Sequence, residues 1–136
     1  MQSFELLSQK FALHFGQRHF PAEPASLYDP NEYFLSLGGK RIRPTLCLMG
    51  NELFDEIKED AWHAATAIEL FHNFTLIHDD MMDQAPLRRG MATVHSKFGE
   101  NTALLAGDVM LVKAYEHLNK INGSYLQTIL HLFNDT

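Results

Sequence analysis

The chain has 136 residues, 46% hydrophobic and 21% charged, with a formal net charge of −6. That describes one domain's worth of globular protein, able to bury roughly two thirds of its unfolded surface, and its acidity argues against a nucleic-acid surface, which is normally basic. A lone cysteine, Cys47, provides no disulfide framework and favours a reducing compartment.

Residues 3–20 read as a helix, with Phe4, Leu7, Phe11 and Phe15 at helical spacing and Ser3 as N-cap. Pro21, Pro24 and Pro30, with Ser26 and Asp29, predict an irregular connection. A short helix is expected over 31–37, closed by Gly38 and Gly39, and a third over 43–54, with Pro44 tolerated in its first turn. After a polar turn, a long helix is expected over 58–83, followed by a loop containing Pro86. A helical turn at 94–98, a long helix at 100–119, a break at Gly123 and a helix at 125–133 complete the series. Nothing alternates with period two for long, so no strands are predicted and the fold class is all-α. No apolar run reaches the ~18 residues of a membrane span. The start MQSFELLSQKF lacks the basic and apolar regions of a signal peptide, which makes the cytoplasm the expected location.

The final segment, LQTILHLFNDT, is strongly apolar for a terminus. It predicts that the 136 residues are part of a larger helical bundle. The alternative is a helix docked at the edge of a complete small one.

Residues 69–90, ELFHNFTLIHDDMMDQAPLRRG, concentrate the chemistry. Asp79, Asp80 and Asp83 fall within about one helical turn, Asp79 and Asp83 on one face and Asp80 beside them. Three uncompensated negative charges so close repel one another, so packing does not explain them. A hard divalent cation does: magnesium takes one or two carboxylates and leaves its other positions to water and phosphate oxygens. Arg88 and Arg89, after a proline-marked turn, offer planar forks that match phosphate oxygens. Metal plus diphosphate is the reading that results.

A second cluster is GGKRIRP, residues 38–44. Two glycines allow a tight turn, and Lys40, Arg41 and Arg43 surround the start of a helix, where the dipole and free N–H groups favour an anion. In isolation a solvated basic surface explains it equally well. His72 precedes Asp79 by two helical turns and faces nearly the same way. A satisfied core histidine is the plainer account of it. Other polar residues take plain readings too. His63, His78, His95 and Asp108 form no pattern of further metal ligands, although Asp108 interrupts an apolar helix and is expected to pair with a cation. Lys97 receives no ligand role. Asp55, Glu56, Glu59 and Asp60 read as a solvated turn leading into the long helix, where acidic groups suit the dipole. Cys47, within LCLM, reads as a packed thiol.

The ordered series GGKRIRP, ELFHNFTLIHDDMMDQAPLRRG and TVHSKFGENTALLAGDVML resembles the trans-prenyl diphosphate synthases, all-α enzymes that build isoprenyl diphosphates. The resemblance runs from Tyr33 to Val112 and implies an isoprenoid-synthase helical bundle of which residues 1–136 are the N-terminal portion. It implies Mg²⁺-dependent head-to-tail condensation of an allylic diphosphate (dimethylallyl, geranyl or farnesyl) with isopentenyl diphosphate. By position, Asp79 and Asp83 match the metal ligands, Asp80 a supporting carboxylate, and Arg88 an arginine that binds the allylic diphosphate. Lys40, Arg43, His72 and Arg89 match the groups that bind isopentenyl diphosphate. The same resemblance implies a homodimer.

Phe71, Phe74 and Thr75 match the positions that limit product length in this family, and the aromatic pair favours a farnesyl- or geranylgeranyl-sized product. Phe74 lies about 7.5 Å below Asp79 along the helix and about 140° round from it, so a helical wheel does not nominate it as a tunnel floor. An ordinary core phenylalanine remains the alternative. One departure is large: members of the family run to about twice this length, with a second aspartate-rich motif in the half absent here. The chain alone is therefore expected to be incomplete as an enzyme. The other hypothesis is a non-catalytic subunit or interaction module of a heteromeric synthase.

Overall fold

The computed structural model describes residues 1–136. Its helices are α1 (Phe4–Phe15), α2 (Ala25–Ser36), α3 (Ile42–Glu52), α4 (Glu59–Met82), α5 (Val94–Phe98), α6 (Glu100–Leu118) and α7 (Gly123–Asp135), with strands β1 (Leu87–Arg88) and β2 (Met91–Ala92) between α4 and α5. The all-α expectation holds for the class. No helix is long and apolar enough to cross a membrane. The chain forms two compact units, one of Met1–Phe15, Arg41–Glu69 and Lys113–Thr136, the other of Gly16–Lys40 and Leu70–Val112.

In the first unit, α1 buries Leu7, Phe11 and Phe15, one stripe at helical spacing. Phe11 stacks on Phe15 at 5.3 Å and on Trp62 of α4 at 6.4 Å between ring centroids. Gln2 ties the start of α1 to α3, its N–H and its side-chain amide both donating to Glu52. Leu126, Ile129, Leu130 and Phe133 of α7 pack against Ala67, Leu118 and Ile121, although no residue of α7 is fully buried.

In the second unit the buried apolar residues come from α2 (Phe34, Leu35), α4 (Leu70, Ile77), α5 (Val94) and α6 (Ala103, Ala106, Met110). α6 approaches α4 closely: a Cβ on Gly107 would overlap the His78 imidazole.

Several expected boundaries move, each for a visible reason. The helix expected over 3–20 stops at Phe15, and the N–H groups of His19 and Phe20 turn instead to the Glu32 carboxylate at 2.9 Å each. α2 begins ahead of Pro30 rather than after it. Leu27 and Tyr28 close its first turn onto the Pro24 carbonyl, while Pro30, Asn31, Phe34 and Leu35 bury its inner face. Burial there offsets the hydrogen bond that an interior proline forfeits. Gly123 starts α7 instead of breaking a helix, because the Asn122 side chain caps the Ser124 N–H at 3.0 Å. The expected loop at Pro86 contains a hairpin, with Leu87 paired to Ala92 and Arg88 to Met91. Strands of two residues are too short to show any alternation.

Candidate functional site

The acidic cluster sits where α4 ends. The Ala85 N–H returns to the Asp80 carbonyl at 2.9 Å and the Gln84 N–H to the Met81 carbonyl at 3.1 Å, with Gln84 at φ 53°. This is the Schellman arrangement, which satisfies the last helical carbonyls and turns the chain sharply. Pro86 follows and prevents further helix. The cap leaves the Asp79 and Asp83 side chains exposed and buries Asp80.

The hairpin then brings Arg88 back to Asp80. Arg88 donates from Nε to Oδ2 at 2.7 Å and from Nη2 to Oδ1 at 2.8 Å, a bidentate fork. The hydrogen bond to Asp80 is the main cause that holds the guanidinium pKa above its ordinary value, with the charges of Asp80, Asp79 and Asp83 adding to it and burial opposing it. Both oxygens of Asp80 are thereby engaged. No hydrogen bond or ion pair engages the Asp79 and Asp83 carboxylates, which lie one turn apart with open oxygens. No three acidic, histidine or cysteine side chains converge into a ready-made metal cage. Two open carboxylates are nonetheless a donor set that suits magnesium, which keeps most of its ligands as water or phosphate oxygens.

The turn of the hairpin, Arg89 and Gly90, has φ of 52° and 79°. Positive φ at both central residues is what a two-residue I′ turn demands. An arginine in the left-handed region is strained by about 1–2 kcal/mol. Its side chain donates from Nη1 to the Gly38 carbonyl. Gly38 and Gly39 are at φ 77° and 154°, and a Cβ on Gly39 would sit 3.1 Å from Arg89 Nη2. The glycine pair is thus needed for two reasons, its own backbone and the room it leaves for Arg89.

Adjacent arginines therefore part company: Arg88 holds the acidic end of α4, and Arg89 holds the basic turn after α2. Lys40, next in that turn, is exposed. Arg43 is exposed on the first turn of α3, in the other unit. Arg41 goes inward, its guanidinium paired with Glu69 and lying 4.8 Å from the centroid of the Phe15 ring. In the sequence Arg41 groups with its basic neighbours, and nothing there marks Glu69 as its partner.

His72 is half-buried on α4, and its carbonyl accepts the Thr75 hydroxyl at 2.7 Å. Phe74 stands edge-on to Phe71 at 5.3 Å and to His78 at 5.0 Å. His78 Nε2 lies 3.2 Å from the Leu104 carbonyl and 3.8 Å from the exposed Asp108 carboxylate, a contact that is ionic only when the ring is protonated, so no permanent cation takes up the pairing expected for Asp108. Cys47 matches its reading as a packed thiol, burial raising its pKa to about 11.

Two further residues position the hairpin and carry no signal in the sequence. Buried Thr93 places its hydroxyl 2.8 Å from the Ala85 carbonyl and donates its N–H to Pro86 at 3.2 Å. Tyr33 of α2 donates its hydroxyl to the Ala92 carbonyl at 2.8 Å.

The polyprenyl synthetase family profile matches residues 24–136. The chain belongs to the polyprenyl synthetase family. A geranylgeranyl pyrophosphate synthase of Geoglobus acetivorans is 50% identical over 97 residues, covering 71% of this chain and 30% of its own length. The geranylgeranyl diphosphate synthase of Methanosarcina mazei is 43% identical over 106 residues, 78% of this chain and 33% of the relative. A crystal structure of geranylgeranyl pyrophosphate synthase, 44% identical, superposes with a TM-score of 0.93 over 99% of this chain and 41% of the other. The chain thus spans about a third of the length of these curated relatives. Family and isoprenoid-synthase fold agree with the resemblance carried by the three motifs.

Proposed function

We propose that the protein is an isoprenyl diphosphate synthase, condensing an allylic diphosphate head-to-tail with isopentenyl diphosphate, with residues 1–136 forming the N-terminal portion of its helical domain. The observation that carries this is the hairpin with its two arginines. It joins an acidic helix end with two open carboxylates to a glycine turn bearing Lys40.

Asp79 and Asp83 would hold magnesium, whose bound charge would ease departure of the diphosphate. Arg88, kept in place by Asp80, directs a guanidinium toward the same anion without adding an unbalanced charge. Lys40, Arg43, His72 and Arg89 receive isopentenyl diphosphate. The diphosphate departs with the bonding electron pair, the double bond of isopentenyl diphosphate attacks the allylic cation left behind, and a proton is lost from the adduct. No side-chain nucleophile is needed, in keeping with a Cys47 thiol that stays protonated. Phe71 and Phe74, one edge-on to the other, support a short product of farnesyl or geranylgeranyl size. A cytoplasmic homodimer is the expected form.

The test is turnover of isopentenyl diphosphate with dimethylallyl, geranyl and farnesyl diphosphates, with and without magnesium, measured on residues 1–136 and on any longer product of the same gene. Asp79→Asn with Asp83→Asn should lower the rate by at least about a hundredfold, the scale of losing a main charge-stabilising contact. A double variant as active as the wild type would end the proposal. Activity that appears only with a co-purified partner chain would favour the heteromeric subunit instead.

A further inference from the structure

Two-residue strands do not hold themselves together in water, so the placement of the hairpin depends on what it docks against. On the side of α4 the anchors are the Arg88 fork on Asp80 and the Thr93 contacts to Ala85 and Pro86. On the side of α2 there are two: Gly38 receives Arg89, and Tyr33 reaches Ala92. One helix and its terminal turn therefore hold the hairpin at both its tip and its second strand.

The Tyr33 ring is itself fixed. Lys97 Nζ lies 4.0 Å from its centroid, and Phe98 meets it edge-on at 5.5 Å. Both come from α5, the segment that directly follows the hairpin. A cation over one face and a ring edge against it restrict the phenol to the direction in which its hydroxyl meets the Ala92 carbonyl.

We propose that Tyr33, seated by Lys97 and Phe98, is a positioning residue that sets Arg89 for isopentenyl diphosphate through its hydrogen bond to Ala92. The proposal rests on the reading of Arg89 as a ligand of that diphosphate. It separates the two arginines. Arg88 has its own bidentate anchor on Asp80, so loosening β2 leaves it in place. Arg89, at the tip, follows the hairpin.

Tyr33→Phe tests this, since it removes the hydroxyl and keeps the ring that Lys97 and Phe98 contact. The KM for isopentenyl diphosphate should rise about three- to tenfold, the factor expected for one hydrogen bond. The KM for the allylic diphosphate and kcat should stay within about twofold. Hydrogen exchange in the same variant should speed up at amides 87–93 and stay unchanged in α1 and α3. Equal rises in both KM values, a change in kcat alone, or unaltered exchange at the hairpin would each overturn the proposal. If even the longest product of the gene gives no turnover, the synthase reading fails, and the exchange comparison still decides whether Tyr33 holds the hairpin.

Discussion

Two arginine–carboxylate pairs, one in each unit, use the same chemistry for different ends. Arg41 and Glu69 are 9% and 5% exposed at their side chains, with a phenyl ring against the guanidinium. The Arg41 residue also stands at φ 51° ahead of α3, and its carbonyl accepts the Thr45 hydroxyl at 2.6 Å. That pair is closed: its charges serve the backbone of the basic turn. Arg88 and Asp80 are 25% and 5% exposed, and beside them lie the two open carboxylates of Asp79 and Asp83. That pair is half-open and its arginine can gain an anionic partner without leaving the first. A charged pair becomes part of a site when its surroundings leave something for a ligand to complete.

Breaking the closed pair should give the largest loss of stability. Glu69→Gln leaves a buried guanidinium without its counter-charge and should cost on the order of 3 kcal/mol, read from urea unfolding. A loss below about 1 kcal/mol, the level of an exposed pair, would show that water reaches Arg41 and would erase the contrast. Arg88→Lys cuts the other way. A lysine keeps the charge and loses the fork, so stability should fall by only about 1 kcal/mol. Turnover, where the synthase reading holds, should fall much further. A stability loss as large as that of Glu69→Gln would make Arg88 structural as well.

What could be read in advance follows the same division. The fold class was legible because Phe4, Leu7, Phe11 and Phe15 and the long run through α4 repeat at 3.6 residues, and that period alone defines a buried face. The acidic trio and the twin arginines were legible as chemistry because their charges had no local compensation. Their partners were not. Nothing in RRG says that its first arginine will face Asp80 and its second Gly38, because that divergence comes from a left-handed arginine in a two-residue turn. The hairpin leaves no signal in the sequence because its strands are shorter than any alternating pattern. Arg41 is indistinguishable in sequence from Lys40 and Arg43, because its inward turn depends on Glu69, 28 residues away. The sequence places the start of α2 after Pro30 because a proline usually marks an edge, and burial of Pro30 outweighs that tendency.

The glycine turn offers a smaller perturbation of the open side. Gly39→Ala places a Cβ 3.1 Å from the Arg89 guanidinium at a backbone angle that L-residues rarely adopt. The cost should be about 1 kcal/mol, with Arg89 displaced from Gly38. The KM for isopentenyl diphosphate should rise more than in Tyr33→Phe, since the contact is direct. A smaller rise would mean that the tip of the hairpin does not depend on this turn.

The least effect is expected from acid, and it falls on the unit with the closed pair. His14 lies 4.9 Å from the Trp62 ring, and its pKa is lowered, first by burial and then by the nearby charge of His63. Above the ordinary histidine range the ring is neutral folded and unfolded, so pH has no leverage. As pH falls below about 6.5 the unfolded chain binds a proton that folded His14 still refuses, so stability declines until the lowered folded value is passed. Urea midpoints at pH 7.5, 6.5 and 5.5 should therefore drift downward, and His14→Gln should flatten part of the slope. A slope identical in the variant would place the acid sensitivity on some group other than His14. The exposure of its ring keeps the expected drift small, because solvent screens what burial imposes.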